Sequence, residues 1–403
     1  MALGIYISVP FCKTKCSYCN FASGVFSKQV FKKYVDRVVD DIERSTTTAL
    51  EMSGELDRQV DTIYLGGGTP TLLETEQLKR LFAAVHERFE VAKGSEVTVE
   101  CAPGTLTSEV IDGLLDCGVS RVSLGVQSFI DKEASSVARL HTRQITIEEI
   151  ERLRSHGITN ISIDLIAGLP HQTKESWEES LAATIDTGVP HASVYMLEVD
   201  EDSRLGRELI AGGTKYHAHF VPDDDLTADL YERAVERLNG AGICQYEISN
   251  FARLGWESKH NLKYWTRDPY LGFGVDAHSM LPALPGSALD AVRFATSDNL
   301  EKYVSGAELE RTPVDFNASV EEAFFLGLRT VKGINLEGMV DRYGTSATIA
   351  FREEFAEMAE AGLVEVEEGW VRLTARGRLV SNEVFGRLIG SSKTDPSRAE
   401  TRS

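Results

Sequence analysis

From Gly4 to Leu197 the chain repeats one pattern: a short run rich in β-branched residues, a polar turn, then a longer segment whose apolar residues recur every third or fourth position. Runs of the first kind suit strands, and segments of the second kind suit amphipathic helices. GIYISV, TIYLG, EVTVE, RVSLG, NISIDLI and ASVYMLEV are thus expected as six strands. KKYVDRVVDDIER, ETEQLKRLFAAVHERF, TSEVIDGLLDCG, TIEEIERLRSHG and KESWEESLAATIDTG supply the helices between them. Gly118, Gly157 and Gly188 fall where helix C-caps belong. Strands alternating with helices in this way make a parallel sheet covered on its outside. The expected fold class is α/β, a partial (β/α)6 parallel barrel, with an open doubly wound sheet as the alternative.

The acidic, glycine-bearing stretch from Asp200 to Asp225 breaks the rhythm, and a helix from Leu226 to Leu238 is expected to complete the barrel region. From Gly242 to Ser279 the chain is rich in aromatic, glycine and amide residues, as in CQYEISNFA, KHNLKYW and YLGFGVDAHS. Beyond Glu301, helical patterns (EEAFFLGLRT, LEGMVDRYG, AFREEFAEMAEAG) precede a hairpin, LVEVEEGWVRL, and a last helix, ARGRLVSNEVFGRLI. That order predicts a C-terminal helical, winged-helix-like module. The expected divisions are a barrel over 1–240, a connecting segment over 241–300, the module over 301–390 and a disordered polar tail over 391–403.

Composition narrows the class. The 403 residues, 42% of them hydrophobic, suffice for two or three domains with cores of their own. The 62 acidic against 42 basic residues, a net charge of −20, argue against a nucleic-acid partner, whose phosphates are met by basic side chains. Six cysteines, three of them crowded near the start, do not make a disulfide framework, and no signal-like segment precedes them, which predicts a reducing cytosol. No window approaches the roughly 20 apolar residues of a membrane helix, so membrane contact is expected to be peripheral.

The crowded cysteines stand in FCKTKCSYCNF, Phe11 to Phe21. Cys12, Cys16 and Cys19 at i, i+4 and i+7 also fit the inner face of a helix. Pro10 ahead of them, and Lys13, Thr14, Lys15 and Ser17 among them, indicate instead a loop at the C-terminal end of a strand. Structural zinc takes a fourth protein ligand. A four-iron cluster held by three thiolates leaves one iron open to bind another molecule.

The C-x3-C-x2-C spacing with Tyr18 before the last cysteine resembles the cluster loop of the radical S-adenosylmethionine superfamily. That resemblance implies a [4Fe-4S] cluster on Cys12, Cys16 and Cys19 and a barrel of radical SAM type. It further implies that the amino and carboxylate groups of S-adenosylmethionine chelate the open iron, from which an electron yields the 5′-deoxyadenosyl radical. Gly66, Gly67, Gly68, Thr69 and Pro70 resemble the superfamily's glycine-rich turn, which offers backbone amides and carbonyls to the methionine amino group. Glu100, Gln127 and Asp164 lie at or within strand ends, where parallel barrels carry their sites.

YISVPFC, GGGTPT, ECAPG, RVSLGVQSF, DLIAGLP, YEISNFA and HNLKYW occur in that order. They resemble the group formed by the oxygen-independent coproporphyrinogen dehydrogenases and the HemW heme chaperones, from Ile5 to about Ile389. By that resemblance Tyr6, Tyr18, Gly67, Gly68, Thr69, Glu100, Gln127, Arg139 and Asp164 surround the cofactor, although VARLHTR around Arg139 departs from the group's usual LGR-H wording. Two branches share these motifs. The dehydrogenases carry a fourth cysteine and a longer N-terminal region; here Phe21 stands at the fourth position and the loop begins eleven residues from Met1. HNLKYW, His260 to Trp265, matches the HNxxYW wording tied to heme binding in the chaperone branch. The resemblance makes His260 the axial ligand, with Tyr264 and Trp265 over the macrocycle and Lys259 on a propionate. A lone histidine before an asparagine otherwise suits a turn or cap, and His217 and His219 in KYHAH, which as a metal pair would be the other choice, sit in an acidic loop and carry little weight. The expected function is a chaperone that binds heme and passes it to respiratory heme proteins at the membrane, and the resemblance admits a homodimer. The rivals are oxidative decarboxylation of coproporphyrinogen III and modification of tRNA by a radical enzyme.

Overall fold

The computed structural model describes residues 2–390, so the expected disordered tail lies outside the described residues. The six anticipated strands form as β1 (Leu3–Val9), β2 (Gln59–Gly67), β3 (Glu90–Cys101), β4 (Arg121–Gln127), β5 (Asn160–Ala167) and β6 (His191–Met196), parallel neighbours in chain order. Ile5, Ile7, Ile63, Leu65, Val99 and Leu124 of the strands share one buried cluster with Tyr34, Val38, Leu81, Val85 and Ile111 of the intervening helices. Alternation then turns the other face of each strand inward. Gly118, Gly157 and Gly188 close their helices with positive φ, as their positions predict.

The span 241–300 contributes far more than a connection. Its first part makes β7 (Cys244–Gln245) and β8 (Asn250–Ala252), with β8 antiparallel to β6. Its second part makes β9 (Tyr270–Gly274), parallel to β1, followed by the antiparallel β10 (His278–Pro282) and β11 (Ala291–Ala295); β12 (Glu310–Val314) pairs next to β11. The result is one sheet of twelve strands in the order β12-β11-β10-β9-β1-β2-β3-β4-β5-β6-β8-β7. Without β9, the buried strand β1 would present a row of unpaired amides and carbonyls along one edge. The parallel part remains an incomplete barrel, its two edges continued by antiparallel strands.

The C-terminal part combines helices Phe316–Leu328, Leu336–Tyr343, Thr345–Glu360 and Ser381–Leu388 with a small sheet containing Val364–Glu367 and Trp370–Leu373. It has its own core around Phe324, Phe351, Phe355 and Met358. Buried Arg267 joins it to the rest, donating to Glu322 at 3.0 Å and Ser319 at 2.8 Å. Among the described residues no helix is long and apolar enough to cross a membrane.

Candidate functional site

The chain leaves β1 at Val9 and enters a loop pinched at its base, where the Cys12 amide donates to the Gly24 carbonyl and the Gly24 amide to that of Pro10, both at 2.8 Å. Phe11 is buried there, stacked on Phe31 with ring centres 3.8 Å apart. The loop's far side is tied to later segments: the Ser17 amide donates to Val137 at 3.3 Å, the Leu205 amide to Ser17 at 2.8 Å, and Arg204 to the Lys15 carbonyl. Tyr18 packs with Val137, Ile166, Leu169 and Leu205. Its ring anchors the loop, with its hydroxyl close to Cys16 and Arg139.

Cys12, Cys16 and Cys19 are free thiols on this pinned loop, with Cys16 buried. Burial pushes the Cys12 thiol up. Arg139 donates to the Cys16 sulfur at 3.5 Å and to the Gly125 carbonyl, so its guanidinium meets the cysteine loop directly despite the unusual sequence around it. Gly125 makes room for this, since a Cβ there would lie 3.1 Å from Arg139 Nη2 and 3.0 Å from Gln127 Nε2. Among the described residues no three His, Cys, Asp or Glu side chains converge on one metal-ion position. A single ion requires such convergence, whereas a four-iron cube spreads its thiolates over different irons. His217 likewise pairs with His171, Nδ1 to Nε2 at 3.1 Å, without a third ligand gathered to them.

The glycine turn lies against the cysteine loop. The Gly68 amide donates to the Val9 carbonyl at 2.8 Å and the Thr69 amide to that of Phe11 at 2.7 Å. The Gly67 amide donates to Glu100 Oε2 at 3.0 Å. All three amides are thus engaged within the protein, a departure from the expectation that they face the cofactor. The turn's carbonyls are the groups suited to an ammonium, which needs acceptors. Glu100 also accepts from the Tyr64 hydroxyl at 2.7 Å, and Tyr64 neighbours Tyr6, ring centres 6.0 Å apart. Tyr6, Ser8, Gly67, Gly68 and Glu100 line a cleft of about 320 Å³ that continues past Phe21 to Tyr264, Tyr270 and His278. Asp164 sits deeper, held by Ser123 at 3.1 Å and Ser162 at 3.4 Å.

Burial pushes the Glu100 carboxyl from its ordinary 4.5 up to about 7; the Tyr64 hydroxyl pulls against this, the nearby Asp164 adds to it, and the Gly67 amide and Arg121 pull back. Between those two pH values the folded protein holds a proton that the unfolded chain has released. The resulting stability contribution is full below about pH 4.5 and lost as pH rises through about 7, by about 3 kcal/mol at most. Glu100→Gln, measured by denaturant unfolding of cluster-free protein at pH 5 and pH 8, is expected to be less stable than wild type at pH 5 and to narrow or reverse that gap at pH 8. A gap that does not change with pH would show that Glu100 titrates normally.

HNLKYW lies on the helix Lys259–Thr266, at the opposite end of the strands from the cysteines. Buried Glu96 accepts from the Lys259 and His260 amides, each at 3.1 Å, complementing the helix N-terminus. A Cβ on Gly4 would lie 3.3 Å from the His260 ring, at the level where Gly4 pairs with Thr62. The cysteine loop instead follows the Ser8–Gly66 pair, four residues on, or roughly 13 Å along the strand. His260 is 1% exposed, its Nδ1 bonded to Thr62 at 2.9 Å and its Nε2 to the Tyr264 hydroxyl at 2.9 Å. Burial drives its pKa down to about 3, with Lys263 and Arg121 adding to the effect. As folded, His260 has no free nitrogen for iron and serves to fix Tyr264. Lys259 is exposed beside the buried helix end, and Trp265 turns to the C-terminal module, where the Arg329 guanidinium lies 4.3 Å from its ring centre. Tyr264 alone of that motif reaches the cleft.

Sequence reasoning missed Glu96 and Arg121. Arg121 is 2% exposed and pulls down the pKa of both Glu100 and Asp164. The available signal was a charged residue opening an otherwise apolar strand.

Three thiols on one pinned loop, with a guanidinium against one of them, suit a cluster that takes cysteine thiolates. A cleft of this size with an acidic wall suits one small cationic cofactor beside it. The sequence pattern of the Radical SAM superfamily matches residues 6–183, and that of the HemN C-terminal domain matches residues 315–380. The heme chaperone HemW of Bacillus subtilis is 34% identical over 386 residues, spanning 96% of this chain and 98% of its own. That of Lactococcus lactis is 31% identical over 95% of this chain and 96% of its own, and that of Escherichia coli 28% identical over 95% and 97%. Among solved structures, the radical SAM enzyme coproporphyrinogen III oxidase (HemN) from Escherichia coli matches with a TM-score of 0.80 at 23% identity. It covers 96% of this chain and 90% of that one, a likeness of fold.

Proposed function

Because the chain belongs to the heme chaperone HemW family of the radical SAM superfamily, we propose that it binds heme and delivers it to heme-dependent respiratory proteins at the membrane. In this reading Cys12, Cys16 and Cys19 hold a [4Fe-4S] cluster, and S-adenosylmethionine binds beside it. The observation that carries the reading is similarity to heme chaperones along nearly the whole chain.

The cluster, when bound, supplies an open iron for the cofactor and an electron. The chain's own residues do the positioning. Arg139 sets positive charge against the Cys16 sulfur, where a cluster-bound thiolate would carry negative charge. Tyr64 and the Gly67 amide orient the Glu100 carboxylate, which, once ionised, attracts the cationic cofactor. Affinity for S-adenosylmethionine is therefore expected to rise as pH increases through about 7, and binding that is flat from pH 6 to 8 would remove Glu100 from that role.

Phe21 favours the chaperone reading over oxidative decarboxylation of coproporphyrinogen. Its ring is 60% exposed and lines the cleft, and it has neither a thiol nor a proton to exchange. The test is anaerobic reconstitution followed by parallel assays. Heme binding, a changed cluster spectrum on adding S-adenosylmethionine, and no steady formation of protoporphyrinogen are expected. Sustained turnover of coproporphyrinogen would reverse the choice.

A further inference from the structure

The cleft has two ends with different chemistry. Tyr6, Gly67, Gly68, Glu100 and Asp276 line it toward the cysteine loop, Tyr264 and Tyr270 line it toward the other end of the strands, where Tyr270 is level with Gly4, and His278 lies between, beside Gly272. A volume of about 320 Å³ is at the small end for a ligand pocket, and a porphyrin is not enclosed in it together with a nucleoside cofactor. A macrocycle using this site must therefore rest at its mouth.

The turn between β9 and β10 stands at that mouth. Gly274 at the end of β9 pairs with Ser8, just before the cysteine loop, so the turn and the loop share one end of the sheet. Asp276 in the turn has φ +54, a left-handed conformation that aspartate tolerates better than most residues. His278 follows two residues later with its side chain 68% exposed, and its Nε2 lies 3.7 Å from an Asp276 carboxylate oxygen. A carboxylate facing one imidazole nitrogen orients the ring and makes the other a better metal ligand. Tyr264 and Tyr270 meet edge to face at 4.7 Å between ring centres and give the cleft an aromatic corner, two residues along β9 from Gly272, the neighbour of His278.

The other histidines are less suited: His86 lies on the helix Thr75–Arg88 and His156 caps the helix Arg143–Ser155, and neither lines this cleft. His141 is bonded to the Val126 carbonyl at 3.0 Å, His191 lies between Ser162 at 2.7 Å and Tyr246 at 3.0 Å, and both are buried. His260 has both nitrogens engaged. His171, His217 and His219 gather on Phe220, away from this cleft.

We propose that His278 is the imidazole that holds heme iron, at the open mouth of the cleft, with Tyr264 and Tyr270 against the macrocycle. The assignment rests on the reading that this protein binds heme, and it adds the position from which heme is handed on. An exposed ligand at a rim leaves the opposite face of the iron open to an acceptor protein's own ligand.

The test is titration of full-length protein with ferric heme, read by absorption and magnetic circular dichroism, for wild type, His278→Ala, His260→Gln and His217→Ala. His278→Ala is expected to lose the imidazole-ligand spectrum and about tenfold in affinity, with free imidazole restoring the spectrum. His260→Gln and His217→Ala are expected to keep the wild-type ligand spectrum, with far-ultraviolet circular dichroism confirming their fold. A wild-type spectrum in His278→Ala, or its loss in a folded His260→Gln or His217→Ala, overturns the assignment while leaving heme binding in place. Wild-type protein that takes up no heme defeats the chaperone reading and this assignment with it.

Discussion

Protein in which Cys12, Cys16 and Cys19 are all replaced by alanine is expected to leave anaerobic reconstitution colourless. Its iron should fall from about four per chain to background, with loss of the reduced paramagnetic signal. The other thiols offer no substitute. Cys101 and Cys117 are buried, and burial pushes both thiols up, away from the thiolate that binds iron. Cys244 is exposed on the short strand β7, remote in the sheet order from β1. The fold should survive, because the loop is closed at its base by backbone hydrogen bonds and by buried Phe11, none of which involves a thiol side chain. Full iron content in the triple variant would end the assignment.

A single methyl group at Gly68 is expected to do nearly as much damage. A Cβ there would fall 2.7 Å from the Phe11 carbonyl oxygen and 2.9 Å from both the Val9 carbonyl oxygen and the Cys12 sulfur. Two of these neighbours are backbone, so the turn and the cysteine loop must move apart. Overpacking of this kind costs about 1–3 kcal/mol. The displacement should also lower affinity for S-adenosylmethionine at least about tenfold, or about 1.4 kcal/mol. Gly386→Ala is the matched control, since its Cβ would meet nothing within 4 Å on the helix Ser381–Leu388. Equal stability and equal cofactor affinity in the two variants would mean that Gly68 is not held against the loop in solution.

Much of this site is written locally. Period-two runs and glycine caps mark the six parallel strands, and the cysteine spacing and the GGGTP turn both follow strand ends, so topology brings them together. What stayed hidden depends on distant pairing. The YLGFG run carries no sign that its partner is β1, more than 260 residues earlier. HNLKYW shows a histidine among aromatic residues, but not that Glu96, Thr62 and Gly4 draw it into the base of the barrel. A motif names the side chains of a site; which of them faces the open cleft is decided by strands far away in the chain. His278 illustrates the reverse case, an ordinary residue in sequence whose setting emerges only when β9 and β10 meet β1.

The hydrogen bonds from Gly68 and Thr69 to the base of the cysteine loop bear on the order in which the protein is loaded. They join backbone to backbone and require no iron, so the turn is already seated before a cluster arrives. In hydrogen exchange these two amides, and those of Cys12 and Ser17 that pin the loop, should be slow in the cluster-free chain, whereas the amides of Lys13, Thr14 and Lys15 between the pins should slow only once the cluster is inserted. A maturation machinery delivering iron and sulfur would then meet a finished cofactor cradle and one short stretch between fixed points left to set. Cluster insertion on such a protein resembles closing a latch on a built frame.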